Sequence, residues 1–309
     1  MKNPINNGAE YIKPTNNSIK KGIILAGGTG KRLMPLTKSI SKHLLPLYDK
    51  PMIFYPLSTL MLAGIKDILI ITTKKDKERF IDLFSDGNQW GVNFTYLVEE
   101  ESLGVPQAFL IGEDFLANEP TALILGDNFF HGSDWISKLK RSQTCDGASI
   151  FVHSVKNPSE YGVVELGENN NIIGIQEKPK NPKSNYVVTG LYFFDNTVVD
   201  RAKKCQFSNR GELEITEIIT SYLKEGKLNV EFLGRGNAWL DTGSWETFYE
   251  ASTFIKAIEN RQGLKLGCPE EIAWRNKWIS SESLTKLAEK FPEIEYKIYL
   301  QNLSKKIIT

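Results

Sequence analysis

Apolar residues fall into two rhythms along this chain. "GIILA" (22–26), "DILIITT" (67–73), "TALILGD" (121–127) and "ASIFVHSV" (148–155) carry short, continuous apolar runs. Runs of this kind suit strands covered on both faces of a sheet. Between the first two, "YPLSTLMLAG" (55–64) has helical apolar spacing, and "KERFIDLFSDG" (77–87) reads as another helix, stopped by Gly87. Strand–helix alternation predicts a three-layer α/β/α fold around a doubly wound, mainly parallel mixed sheet.

From about residue 160 the texture changes. "YGVVEL", "NIIGIQEK", "VVTGLYFF", "NVEFLG" and "AWLDTG" are short strands with polar turns. They read as later strands of the same sheet plus a hairpin lid beside its carboxyl edge. "GELEITEIITSYLKEG" (211–226) predicts a helix with a Gly stop. After residue 245 the pattern is helical, through "WETFYEASTFIKAIENRQG", "PEEIAWRNKW" and "SSESLTKLAEKF". The expected organisation is a flexible tail (1–20), a catalytic region (21–245) and a C-terminal helical segment (246–309).

Composition narrows the partners. A length of 309 residues suggests about two domains, although α/β folds often hold this much in one. With 38 basic and 37 acidic residues the net charge is +1, so no global field recruits nucleic acid or a membrane, and any anion site must be local. No apolar run approaches the ~20 residues of a membrane span. The first twenty residues lack the apolar core of a signal peptide. Cys145, Cys205 and Cys268 lie far apart, as expected for reduced thiols in a cytoplasmic protein.

Candidate chemistry sits at strand ends, where open α/β sheets bind ligands. "GGTGKRLMP" (27–35) follows the first strand. It fails as a Walker A loop, because Leu25 stands where the first glycine belongs and Arg32 where Ser or Thr would reach the metal. It fails as a dinucleotide fingerprint, because Leu33 ends the pattern. What remains is a set of backbone amides and an arginine gripping a triphosphate, against the plainer reading of a glycine turn with solvated cations. Lys42, followed by Leu-Leu-Pro, is either a phosphate contact near the core or a snorkelling lysine. Asp127 and Asp241 are either turn aspartates or two carboxylates for one Mg²⁺. Asp241-Thr242-Gly243 also matches the aspartic protease triplet, but only one such triplet is present, so a protease would need a dimer axis at the site. "QEKP" (176–179) offers Glu177 for sugar hydroxyls and Lys178 for a phosphate, or merely a charged turn. His43 reads as structural.

"GIILAGGTGKRLMPLT", "SKHLLPLYDKPMIFYPLSTLMLAGI", "LILGDNFF", "YGVVEL", "QEKP", "SNYVVTGLYFFD", "RGELEIT" and "AWLDTGS" occur in one order. Together, over about residues 21–275, they resemble the bacterial glucose-1-phosphate thymidylyltransferases. The resemblance implies a Rossmann-like nucleotidyltransferase fold and conversion of dTTP and glucose 1-phosphate to dTDP-glucose and pyrophosphate with Mg²⁺. It also implies a homotetramer. Leu25, Gly27, Gly28 and Gly30 would line the nucleotide, with Lys31 beside them. Arg32 would hold the triphosphate, Lys42 would contact phosphate at the reacting centre, and Gly104 would close on base and ribose. Asp127 and Asp241 would hold the metal. Gly162, Glu177 and Val188 would seat the sugar, Lys178 its phosphate, and Arg210 would face the phosphates.

Three residues depart from the family pattern. Lys31 replaces a usual Thr and His43 a usual Gln. Glu99 in "LVEEESLG" replaces a Gln that reads the pyrimidine edge. Gln donates and accepts, whereas an ionised Glu only accepts. Glu99 could take the N3–H of thymine or uracil, or accept from a cytosine amino group, and Glu100 could face the base instead. The alternatives are the same reaction with UTP or another sugar 1-phosphate and, more distantly, a nicotinamide-dependent dehydrogenase or a non-catalytic sugar-nucleotide sensor.

Overall fold

The structure, a computed structural model, describes residues 19–143, 146–168 and 171–305. The expectations for the tail and for Cys145 fall outside these residues, apart from Ile19 and Lys20. The strands are β1 (Lys21–Ala26), β2 (Pro46–Leu47), β3 (Lys50–Pro51), β4 (Asp67–Thr72), β5 (Asn93–Val98), β6 (Thr121–Leu125), β7 (Asn128–Gly132), β8 (Ala148–Ser154), β9 (Gly162–Leu166), β10 (Ile172–Glu177), β11 (Tyr186–Phe194), β12 (Leu228–Leu233) and β13 (Asn237–Asp241). The helices are α1 (Phe54–Leu62), α2 (Lys77–Phe84), α3 (Gln107–Ile111), α4 (Glu113–Leu116), α5 (Trp135–Ser142), α6 (Val198–Ala202), α7 (Ile215–Lys224), α8 (Trp245–Gln262), α9 (Pro269–Arg275), α10 (Ser281–Glu289) and α11 (Glu295–Lys305).

Nine strands form one mixed sheet in the order β10-β9-β11-β6-β1-β4-β5, with β8 pairing β11 and β12. Its parallel part is β6-β1-β4-β5, where Ile24 lies opposite both Ile70 and Ile124. Strand alternation sends neighbouring apolar residues to opposite faces. Ile24, Ile70 and Ile124 pack with Leu57 and Leu60 of α1 and Phe80 and Phe84 of α2. Ile23, Leu69 and Leu123 pack with Phe109 of α3 and Ile218 and Tyr222 of α7. The three expected layers are therefore present, and each fully buried Ile, Leu or Phe contributes roughly 1.5–3 kcal/mol.

The antiparallel part is larger than the apolar runs suggested. β11 runs antiparallel to β6, β8 and β9, and β10 antiparallel to β9. The β9–β10 hairpin belongs to the sheet, and it is β13 that leaves it, pairing only with β7. Helix α7 starts at Ile215 rather than at residue 211: Gly211 has φ +75° and Leu213 bridges Phe207, so the chain is still extended there. Helix α2 ends at Ser85, with φ +50°, before Gly87 is reached. At the other side of the site, Ser244 caps α8 in a reciprocal box with Thr247, and Gly263 closes it at φ +64°. Helix α11 completes a satellite core of Leu284, Ala288, Leu300 and Leu303. Among the described residues no helix is long and apolar enough to cross a membrane.

Candidate active site

The two aspartates are joined by a strand pair. β6 ends at Leu125, the chain turns through Gly126 and Asp127, and β7 begins at Asn128. Asp241 ends β13 directly opposite Asn128. Thr242 then donates both its backbone N–H (3.0 Å) and its hydroxyl (2.9 Å) to the Asp127 carbonyl. The D-T-G triplet is thus a strand end stitched to the other aspartate and leading into the α8 cap. Asp241 Oδ1 accepts the Gly243 N–H at 2.9 Å and the Tyr161 phenol also bonds it. Burial, and then Asp241, push that phenol well up, so it stays protonated and donates.

The charges of the pair are unequal. Burial raises the Asp127 carboxyl, but the Lys42 ammonium and hydrogen bonds from Lys42 and Asn128 overcome it and hold Asp127 far below the usual carboxylate range. Lys42 Nζ is in direct contact with Asp127 Oδ2. Asp241 is instead held up, by burial and then by Asp127, against the Gly243 amide, Tyr161 and Arg32. Two half-buried carboxylates, one of which resists ionising, suit a hard divalent cation that supplies the missing positive charge. Among the described residues no three His, Cys, Asp or Glu side chains cluster as a self-sufficient metal site, so substrate or water oxygens would complete the shell. His43 lies beneath the turn, 2 % exposed, its Nδ1 3.0 Å from Ser41 Oγ. Burial and Lys42 lower its pKa to about 3, which keeps it neutral and structural.

Asn128 locks this arrangement. Its Oδ1 accepts the Gly190 N–H (3.0 Å) and the Trp239 indole N–H (2.6 Å), while Nδ2 donates to Asp127 Oδ1 (3.0 Å). A Cβ on Gly190 would lie 2.6 Å from Asn128 Oδ1. β11 also shifts register between Val188 and Tyr192, which brings this backbone up to the amide.

Around the aspartates opens a cleft of about 580 Å³, walled among others by Leu25, Arg32, Lys42, Glu99, Gly104 and Tyr161. Arg32 follows Gly30, which turns the chain at φ +58° and whose carbonyl accepts the Thr37 hydroxyl at 2.8 Å. The Arg32 guanidinium lies against Gly243, 2.9 Å from where a Cβ would stand, and 3.6 Å from Glu160. Gly27, Gly28, Gly30 and Lys31 do not line the cleft itself, so their contact with a nucleotide stays a proposal. The two leading glycines act through Glu99: a Cβ on Gly27 would be 2.0 Å from Glu99 Oε2, and the Gly28 amide bonds its carboxyl. Lys31 is exposed. Glu99 is buried and on the wall, whereas Glu100 is exposed.

At the other end, Glu177 pairs with Gly162 across β9–β10, and both line the cleft with Lys178 and Val188. Burial, then Glu214, raise the Glu177 carboxyl against Lys178, Arg210 and Thr216. Lys178 holds φ +40°, a conformation lysine rarely adopts, while its N–H bonds the Tyr161 carbonyl at 2.9 Å. Arg210 is not on the wall. Glu212 (2.9 Å), Glu177 (3.4 Å) and Glu214 (3.5 Å) hold it at the rim. Gly104, at φ +114°, lets its loop press on Leu213, whose carbonyl would be 2.1 Å from a Cβ.

A family model described as "Nucleotidyl transferase" matches residues 21–258. A glucose-1-phosphate thymidylyltransferase of Neisseria meningitidis is 50% identical over 287 residues, covering 93% of this chain and 100% of that protein. One from Mycolicibacterium smegmatis is 51% identical over 283 residues, covering 92% and 98%. This chain belongs to the glucose-1-phosphate thymidylyltransferase family. Among solved structures, a UDP-glucose pyrophosphorylase complexed with UDP-glucose is similar with a TM-score of 0.68 and 27% identity, covering 79% of this chain and all of that one.

As a thymidylyltransferase-family member, the chain carries wall residues that strand patterns do not single out. Tyr161, Asn128 and Trp239 are on the cleft wall, and Tyr161 meets Trp239 edge-on at 5.3 Å. Tyr161 could have been found from "YGVVEL", since it directly precedes Gly162. Asn128 follows Asp127, but nothing in the sequence shows that it accepts from a tryptophan on a distant strand.

Proposed function

We propose that this chain joins the thymidylyl group of dTTP to glucose 1-phosphate, giving dTDP-glucose and pyrophosphate, with Mg²⁺ held by Asp127 and Asp241. One observation carries the reading: β7–β13 pairing sets two half-buried carboxylates side by side, with Lys42 and Arg32 on the same cleft. In-line attack by a phosphate oxygen on an α-phosphorus needs positioning and charge neutralisation more than a protein nucleophile. The sugar phosphate is already ionised at neutral pH, so no general base is required. Lys42 stands beside the metal-ligand aspartate and can move onto the reacting phosphate. Arg32 offers a planar donor to the departing pyrophosphate. Glu177, whose carboxyl is raised by burial and by Glu214, can accept from sugar hydroxyls. Lys178 presents its ammonium from a strained backbone that fixes its direction. A bound divalent ion would supply positive charge to the α-phosphate oxygens. Because bonds change only at phosphorus, the anomeric configuration is retained.

UTP in place of dTTP is the second reading, favoured by the likeness to the UDP-glucose enzyme. The proposal extends to a homotetramer and a cytoplasmic setting. Trp245 and Tyr249, exposed one turn apart on α8, support self-association, and free thiols at Cys205 and Cys268 support a reducing compartment. The test is pyrophosphate release with Mg²⁺, glucose 1-phosphate and each nucleoside triphosphate in turn. Release with dTTP above the others is expected. No release with any triphosphate refutes nucleotidyl transfer, and release with UTP alone replaces the donor.

A further inference from the structure

The cleft has an unusual carboxyl. Arg32, Lys42, Asp127 and Asp241 mark where phosphates belong, and Glu177 and Lys178 mark the hydroxyl-rich end. Leu25, Val105, Leu213 and Glu99 also line the cleft. Apolar wall groups with a buried polar group among them suit a nucleobase. Glu99 is 6 % exposed, so an anion there would be stripped of water. The charged groups on the elements around it are Lys31 and Arg32 on the glycine loop, Lys74, Lys75 and Asp76 after β4, and Glu100 and Glu101 on its own loop. Asp76 is tied to Arg79 at 2.8 Å and the others are exposed. None offsets its burial. Burial raises its pKa, and only the Gly28 amide works the other way.

We propose that Glu99 reads the base as a neutral carboxylic acid, its hydroxyl donating to the O4 carbonyl of thymine and its carbonyl oxygen accepting the N3–H. The inference rests on the nucleotidyl-transfer reading above. A neutral acid offers one donor and one acceptor, the same pair as an amide. The Gly28 amide occupies one oxygen as an acceptor and leaves the proton on the other, so the order of donor and acceptor is set before the base arrives. Gly27, lacking a Cβ, lets the carboxyl lie against the loop at all. Ionised, the same side chain would turn a lone pair toward O4, and a base over it would remove the last water.

Binding dTTP must then take up a proton wherever free Glu99 is ionised. Calorimetry of Mg·dTTP binding in buffers of different ionisation heat, from about pH 6 to 9, reads this uptake directly. Wild type is expected to take up about one proton more than Glu99→Gln above the pKa of the free acid. In turnover, the ratio of wild-type to Glu99→Gln kcat/KM for dTTP is expected to fall about tenfold per pH unit above that pKa. Equal proton uptake in both proteins across the range overturns the proposal. If dTTP binds but neither protein releases pyrophosphate, the transferase reading fails while the proton count still judges Glu99. If dTTP binds to neither, both are overturned. A thermal melt of Glu99→Gln separates these outcomes from misfolding.

Discussion

Replacing Asn128 by leucine removes a buried acceptor while roughly keeping the side-chain volume. Two donors then lose their partner, the Gly190 N–H at 3.0 Å and the Trp239 indole N–H at 2.6 Å. A buried unsatisfied donor costs about 1–3 kcal/mol, so the pair predicts a loss of roughly 2–6 kcal/mol. The Asp127 carboxylate also loses its 3.0 Å bond from Nδ2, which predicts a further 10–100-fold loss of kcat at fixed Mg²⁺, on the order seen when a group orienting a metal ligand is removed. Urea unfolding at neutral pH measures the first effect, and pyrophosphate release measures the second. Asn128→Asp separates the two. It keeps an acceptor for Gly190 and Trp239 but sets a second carboxyl beside Asp127, so its own pKa is raised in the folded state. Its stability should approach wild type at low pH and fall as pH rises through that raised pKa. An Asn128→Leu protein with wild-type unfolding midpoint and kcat would refute the bridging role.

Asp241→Asn tests the unequal pair. The Asp241 carboxyl is raised by burial and by Asp127, so its protonated form stabilises the metal-free fold below the unfolded pKa of ~3.9 and that contribution is lost as pH rises through the folded value. The variant should therefore be more stable than wild type at neutral pH, with the gap closing toward about pH 4, and should not turn over; a pH-independent gap in urea midpoints contradicts this. Lys42→Met leaves the half-buried Asp127 without its ammonium. About 3–5 kcal/mol of stability and 10²–10³ in kcat should be lost, as read by unfolding and turnover. Lys178→Gly relieves a φ of +40° and should gain about 1 kcal/mol of stability while raising the KM for glucose 1-phosphate. A variant that loses stability would show that the backbone there is not strained.

The sheet core was legible because β1, β4 and β6 are buried on both faces and read as unbroken apolar runs. β5 was not, since Asn93, Thr95 and a half-buried pattern mark it as an edge strand. The candidate metal ligands were legible as strand-end aspartates, but their meeting was not. It depends on β13 leaving the main sheet to pair with β7, a choice made by Asn128, Trp239 and Thr242 across distant segments. The glycine loop was legible as a turn after β1. Which of its two exposed cations lines the cleft was not: Arg32 does and Lys31 does not. Arg210 was named from the resemblance, and its ion pairs with Glu177, Glu212 and Glu214 could not be read from the sequence.

The central claim is that Asp127 and Asp241 share one divalent ion with the nucleotide. The direct measurement is Mn²⁺ binding, followed by electron paramagnetic resonance in the presence of dTTP, for wild type, Asp127→Asn and Asp241→Asn. A single tight ion per chain that needs dTTP, weakened by about tenfold or more in each variant, is the predicted result. Wild-type Mn²⁺ affinity in either variant, or tight binding without nucleotide that ignores both substitutions, would contradict it.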